Sequence, residues 1–327
     1  MRTRPFLTWS LAIAVSIAVC GIAAAASDSP IFTLADPRGD DHGDGTLIYP
    51  QRDDLDVGEL DILTFSAYAD RAGTIFELTF AKPVRKPERR TIDEIGTTLD
   101  GVARLGFYNF NVDIYIDTDR VPGSGSTTTF PGRKVTIDPA FAWEKAICLT
   151  PRPTAAREAL AAIYVRDQKK EFKQREGRVT AEDEKQIAAG VARDIASDVF
   201  FPSLVWVTGN RIRFLVPASF LGGVAKATWG YVVFDTVADM QERVDVTAVM
   251  GGEGRTPALM VVPVQPGRGP DFIGGGREDD PFEPPLIDLI VPPGMKQETI
   301  LLDYDTRVDR MVRLPGVVPA ALSGVPK

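Results

Sequence analysis

Four carboxylates fall within nine residues in Asp36-Pro-Arg-Gly-Asp40-Asp41-His42-Gly43-Asp44-Gly45. Hard oxygens at this spacing suit Ca²⁺, and Gly39, Gly43 and Gly45 let the backbone curl until carbonyls can also point inward. Written as a helix–loop–helix calcium loop, Asp40, His42, Asp44 and Gly45 would take positions one, three, five and six. That motif fails, because position three is then His, position twelve is Gln51 and the flanks are not helical. A calcium loop of another type remains, with Asp56, Glu59 or Asp61 completing the shell from the adjoining turn and strand. The metal-ligand candidates are therefore Asp36, Asp40, Asp41, Asp44 and Asp61. The competing reading is that Asp favours turns by bonding its own backbone. Against it, adjacent carboxylates without a cation repel one another across a tight loop. His42 is expected at the surface, since imidazole is not a usual Ca²⁺ donor.

Asp117 and Asp119 form a second acidic pair, just before the turn Pro122-Gly-Ser-Gly-Ser126. They could be further Ca²⁺ ligands, turn formers or a glycosidase pair, which needs its carboxyl groups held ~5 to 9.5 Å apart around a sugar. His42 is the single histidine of the chain. That excludes most zinc sites, multi-histidine iron and, unless His42 itself is the base, histidine-activated nucleophiles. No phosphate-binding glycine loop or dinucleotide fingerprint occurs, and no nucleophile–base signature assigns a catalytic residue. A net charge of −8 (37 basic against 45 acidic residues) argues against a sequence-independent grip on nucleic acid.

The elements that must position these groups read as strands. With 25 Pro and 29 Gly in 327 residues, turns punctuate the chain often, as in all-β proteins. Residues 62–65 and 74–80 alternate as half-buried strands do, with Phe76, Leu78 and Phe80 facing away from Ile75. In 112–117, Val112, Ile114 and Ile116 share one face, expected as core, while Asp113, Tyr115 and Asp117 share a face expected to carry carboxylates. Further strands are expected at 135–137, 204–207, 211–216, 229–235, 258–262, 287–291 and 299–302, in antiparallel meanders. Residues 151–202 break the pattern. A helix is expected from about Thr154 to Gly177, with Leu160, Ile163, Tyr164 and Phe172 on one stripe. A second opens at Thr180 and Asp183 like a capping box and continues through Ile187, Val191 and Ile195. The Gly- and Pro-rich stretch 267–293, with Asp271, Glu278, Asp279, Asp280 and Glu283, is expected to be a long ordered loop or an acidic linker.

At the N-terminus, Arg2 and Arg4 precede an uncharged apolar run from Phe6 to Ala26, whose last residues before Ser27 are alanines, Ala24, Ala25 and Ala26 among them. This pattern predicts a secretory signal over residues 1–26, export to a periplasm or the medium, and no permanent membrane span. The remaining chain, 27–327, is expected to be a single domain of net charge −10 that keeps one thiol, Cys148, and so has no intramolecular disulfide.

The opening Asp36-Pro-Arg-Gly-Asp-Asp-His-Gly-Asp-Gly-Thr-Leu-Ile-Tyr-Pro50 with Gly58-Glu-Leu-Asp61 resembles the C-terminal module of glucodextranases and certain amylopullulanases. Phe110-Asn-Val-Asp-Ile-Tyr-Ile-Asp-Thr-Asp119, Ala142-Trp-Glu144, Trp229-Gly-Tyr231, Gly274-Gly-Gly-Arg277, Ile287-Asp-Leu-Ile290 and 297–304 follow in the family's order. The resemblance implies an all-β, two-sheet antiparallel β-sandwich, a DOMON-like jelly roll of the family-nine carbohydrate-binding type. The α-helical hairpin at about 151–200 looks like an insertion into it. It also implies a non-catalytic module that binds polysaccharide or an envelope glycan, often with Ca²⁺. The alternatives are a carboxylate-dependent glycoside hydrolase, for which the chain leaves no separate catalytic domain, and a structural or protein-interaction module using the hairpin. Tyr49, Tyr108, Trp143, Trp206 and Trp229 are the aromatics that could stack on a sugar, each with core packing as the plainer role.

Overall fold

The structure, a computed structural model, describes residues 29–92, 96–240, 259–277 and 281–322. The expected signal segment lies outside them, as do Ala258, Glu278, Asp279 and Asp280. Among the described residues no helix is long and apolar enough to cross a membrane.

Two five-stranded sheets face each other. The first is ordered β1-β2-β3-β9-β8 and contains β1 (Phe32–Ala35), β2 (Ile62–Asp70), β3 (Gly73–Phe80), β8 (Val205–Thr208) and β9 (Arg211–Pro217). The second is ordered β11-β10-β4-β6-β7 and contains β4 (Phe110–Asp117), β6 (Lys145–Leu149), β7 (Val199–Phe200), β10 (Gly230–Val237) and β11 (Leu286–Leu289). Strands β5 (Val135–Ile137) and β12 (Val312–Leu314) pair separately and in parallel. The period-2 alternation of β3 places Phe76, Leu78 and Phe80 in the layer between the sheets, against Phe65, Val112, Ile114, Ile116 and Phe214.

Besides the one-turn helices α1 (Leu99–Val102) and α4 (Ala218–Leu221), the chain forms the helical hairpin that its sequence implies. Helix α2 (Pro153–Glu176) starts on a proline and stops at Gly177, which takes the left-handed conformation that favours glycine (φ +79°). Helix α3 (Ala181–Asp198) is opened by a capping box in which Thr180 and Asp183 satisfy each other's backbone N–H. The hairpin leaves from β6 and returns as β7, which pairs with β6 in parallel, so it serves as the crossover that a parallel pair requires. Leu160, Val191 and Ile195 bury their stripe on Tyr115, Cys148 and Phe234, on the outer side of the second sheet.

That cover corrects the expected two-sided character of β4. All eight of its residues are buried, because the face opposite the main core is roofed by a second core. Asp113 is tolerated there through Arg133, also buried, which donates Nε to Asp113 Oδ2 at 2.6 Å and Nη2 to Oδ1 at 3.1 Å. Two other expectations fail, and one strand was not foreseen. Residues 299–302 lie in helix α5 (Gln297–Leu301) and the turn after it rather than in a strand. The short apolar run Ile-Leu-Leu is compatible with either state, and docking of Gln297 decides for the helix. The described part of 258–262 is a bend with an isolated bridge from Val261 to Ala238, and β12 was not anticipated.

Candidate metal centre

The acidic loop leaves β1 at Asp36 and folds back over the end of β11. Gly43 is required at this approach. Its φ is +59°, and a Cβ there would lie 2.6 Å from the Leu286 carbonyl oxygen, while its N–H donates to the Ile287 carbonyl at 2.8 Å. The buried amide of Gln297 in α5 fixes the loop from the other side. Its Nε2 donates to the carbonyls of Asp40 (2.7 Å) and Gly43 (3.0 Å), and its Oε1 accepts the Leu289 N–H.

This packing brings together carboxylates far apart in sequence. Asp36, Asp40 and Asp288 each offer an oxygen, and these oxygens lie within 4.8 Å of one another. Oxygens bound to one Ca²⁺ at about 2.4 Å can be up to about 5 Å apart, so the trio is close enough to share an ion. Asp61 stands beside them, its Oδ2 accepting the Gly39 N–H at 2.9 Å. Asp235, wholly buried on β10, adds a further carboxylate and accepts the Asp288 N–H.

Protein donors do not satisfy this cluster. Asp40 Oδ1, Asp61 Oδ1 and Asp235 Oδ2 are buried without a hydrogen-bond partner, and Asp36 lies against the Asp288 carboxylate and the Val291 backbone without a well-aligned donor for either oxygen. Asp288 accepts from Ile62 N–H and Leu289 N–H, one bond per oxygen, which leaves each a free lone pair. The electrostatics follow. Burial, then the neighbouring Asp40, push the Asp36 carboxyl up to about 8, and burial pushes Asp40 up to about 6. Asp61 is raised by burial, with partial relief from the Gly39 N–H and from Arg38 and His42. Asp235 and Asp288 are driven well above the carboxylate range, first by burial and then by their acidic neighbours. Buried oxygens with no donor and carboxylates that resist ionising in one another's company fit a hard divalent cation.

The remaining candidates have other work. Asp41 Oδ2 accepts from the Tyr49 hydroxyl and from Gly58 N–H (2.6 Å), and Asp44 Oδ1 accepts from Thr46 N–H and Oγ1. These bonds hold the loop's shape, while Asp44 Oδ2 is buried without a hydrogen-bond partner, the Arg277 guanidinium standing 3.9 Å away. Glu59 and Asp56 turn instead to Arg85. His42 is half-buried. Asp288 and Asp235 are the ligand candidates that sequence reading missed. The available signal was a single carboxylate inside each of two otherwise apolar strands, Leu286-Ile-Asp-Leu289 and Tyr231-Val-Val-Phe-Asp235.

Asp117 and Asp119 do converge with Glu144. Here donors abound: Arg120 serves both oxygens of Asp117, Val121 N–H and Ser124 serve Asp119, and Thr118 N–H serves Glu144 at 2.7 Å. These residues close the turn after β4. Elsewhere, a cavity of about 380 Å³ lies between Arg52, Asp54, Arg90, Leu99 and Tyr108, apart from the acidic centre.

A search of the curated proteins finds no match. Residues 31–316, nearly the whole chain, match the family described as the C-terminal binding module, SLH-like, of glucodextranase. The motifs lie on the elements just described: the acidic loop, β4, the Trp229 turn, β11 and α5. The chain belongs to the family of glucodextranase C-terminal binding modules.

Proposed function

We propose that this chain is an exported, non-catalytic module that binds polysaccharide or a cell-envelope glycan, with its fold held by Ca²⁺ at the acidic centre. The family supports the binding role, and the segment Arg2–Ala26 supports export. The observation that carries the reading is the set of donorless buried oxygens on Asp36, Asp40, Asp61 and Asp235. Asp36, Asp40 and Asp288 would hold the ion, with Asp61 and Asp235 beside them. When bound, Ca²⁺ supplies the positive charge that lets these carboxylates ionise together.

The role of the centre is structural. Asp36 extends β1, Asp61 precedes β2, Asp235 lies in β10 and Asp288 in β11, so one centre ties the first sheet to the second. The test is a polysaccharide-binding screen of the purified chain in millimolar Ca²⁺ and in chelator. Retention by at least one glycan in Ca²⁺, together with a lower melting temperature in chelator, is expected. Steady release of sugar from α-glucans, abolished by carboxylate substitution, would establish the hydrolase instead.

A further inference from the structure

The two sheets differ in what lies behind them. The helical hairpin roofs the outer face of the second sheet, whereas the outer face of the first presents Thr33, Arg211, Arg213, Trp206 and Thr208 to solvent. Of the five aromatics that could stack on a sugar, four are buried, between 4% and 8% exposed, and Trp206 is 44% exposed. Trp206 lies on the edge strand β8 and keeps nearly half of its surface in water.

Register sets what surrounds it. Trp206 pairs with Arg213, Arg213 with Glu77, Glu77 with Ser66 and Ser66 with Thr33. One straight row therefore crosses all five strands, a span of about 19 Å at the usual strand spacing, with Trp206, Arg213 and Thr33 exposed and Glu77 and Ser66 at its centre buried. The row is held rigidly. Arg213 Nε donates to the buried Glu77 carboxylate, the Arg213 guanidinium lies 5.3 Å from the Tyr68 ring centre, and Thr33 and Ser66 share a hydrogen bond of 2.8 Å. Beside Trp206 is a hollow of about 130 Å³ lined by Glu77, Trp206, Thr208, Arg211 and Arg213.

We propose that this face is the glycan-binding surface, with a pyranose ring of an uncharged polysaccharide stacked on Trp206 and the chain running along the row toward Thr33. This assignment rests on the reading of the chain as a glycan-binding module. Sugar C–H groups suit the apolar indole face. The hydroxyls at the ring edge need donors and acceptors together, and the Arg213–Glu77 pair offers both with its charges largely cancelled. The length of the row favours an oligosaccharide over a single sugar. The indole platform and the pairing of Arg213 with Glu77 favour an uncharged polymer, and the acidic polymers in the test below measure the pull of the exposed Arg211.

The test is affinity electrophoresis of the full chain, in Ca²⁺, through dextran, starch, β-glucan and xylan, with alginate and polygalacturonate as acidic polymers, for wild type, Trp206→Ala and Trp206→Phe. The expected result is retention by an uncharged polymer that weakens about tenfold or more in Trp206→Ala. Trp206→Phe should keep most of the binding, and the melting temperatures should be unchanged. Tryptophan emission of the wild type should shift to the blue on binding, and that shift should vanish in Trp206→Phe, which reads the contact even if the alanine variant folds poorly. Equal retention of wild type and Trp206→Ala overturns this assignment and leaves the module reading standing. Retention by the acidic polymers alone overturns the uncharged ligand. Failure of the wild type to bind any polymer overturns the module reading itself.

Discussion

Two acidic clusters in this molecule have nearly the same composition and opposite electrostatics. Asp117, Asp119 and Glu144 receive donors from Arg120, Thr118, Ser124 and the backbone of their own turn. Asp36, Asp40, Asp61, Asp235 and Asp288 share only a few backbone N–H groups, and several of their oxygens are buried with no partner. The difference teaches that carboxylate density does not tell the two clusters apart, while the supply of donors does. A third case sets the scale: Asp113 is as deeply buried as any carboxylate in the acidic centre, but the protein provides its counter-charge as Arg133.

The largest effect is expected at that protein-supplied pair. Arg133→Leu leaves Asp113 buried and uncompensated and should cost about 3–5 kcal/mol, by the same amount in Ca²⁺ and in chelator. Urea unfolding in the two buffers checks it, and any calcium dependence of the loss would break the contrast. Next in size, Asp36→Asn or Asp288→Asn should remove the calcium increment of about 2.7 kcal/mol expected at a hundredfold excess of ion over its dissociation constant. In chelator the same variants should equal or exceed wild type, because a repelling carboxylate has gone.

The pH dependence in chelator sharpens the contrast further. Asp36 and Asp40 are raised from 3.8 to about 8 and about 6, so the folded chain binds protons that the unfolded chain has released. Their contribution is therefore favourable below about 4 and is lost as the pH rises toward about 8. In saturating Ca²⁺ the slope across this window should reverse, since acid then competes with the ion. Urea midpoints at pH 5 and pH 8 in each buffer read the sign. Smaller again, Glu144→Ala leaves the Thr118 N–H without its acceptor and should cost about 1 kcal/mol with no calcium dependence. Smallest is His42→Ala, expected within about 0.5 kcal/mol of wild type in thermal melts and with its calcium response intact.

Much of the scaffold was legible because it is local. The alternation of 74–80 gave β3, Gly177 marked the end of α2, and Thr180 with Asp183 marked the start of α3. The burial of both faces of β4 was not legible, since it depends on a hairpin some 40 residues further along roofing the second sheet. Three of the five residues of the candidate centre could be read for the same reason. Asp36, Asp40 and Asp61 sit in or beside one loop, whereas Asp235 and Asp288 arrive through β10 and β11 from far along the chain. Asp41 and Asp44 are close in sequence to the centre, but Asp41 Oδ2 and Asp44 Oδ1 accept bonds from Tyr49, Gly58 and Thr46. Among the aromatics, composition treated Trp206 and Trp229 alike, and the fold separates them, Trp206 on an edge strand and 44% exposed, Trp229 in the turn before β10 and 6% exposed.

The most direct test of a calcium-held fold is a thermal melt of the purified chain, stripped of metal to a residual level verified by elemental analysis, across a titration of free Ca²⁺. The expected result is a melting temperature that climbs with the logarithm of free Ca²⁺, by roughly 4 °C at a hundredfold excess over the dissociation constant, with a smaller response to Mg²⁺ and none in Asp36→Asn. A melting curve that is the same in chelator and in millimolar Ca²⁺ would contradict it, and would make the acidic centre a cluster of protonated carboxyls rather than a metal site.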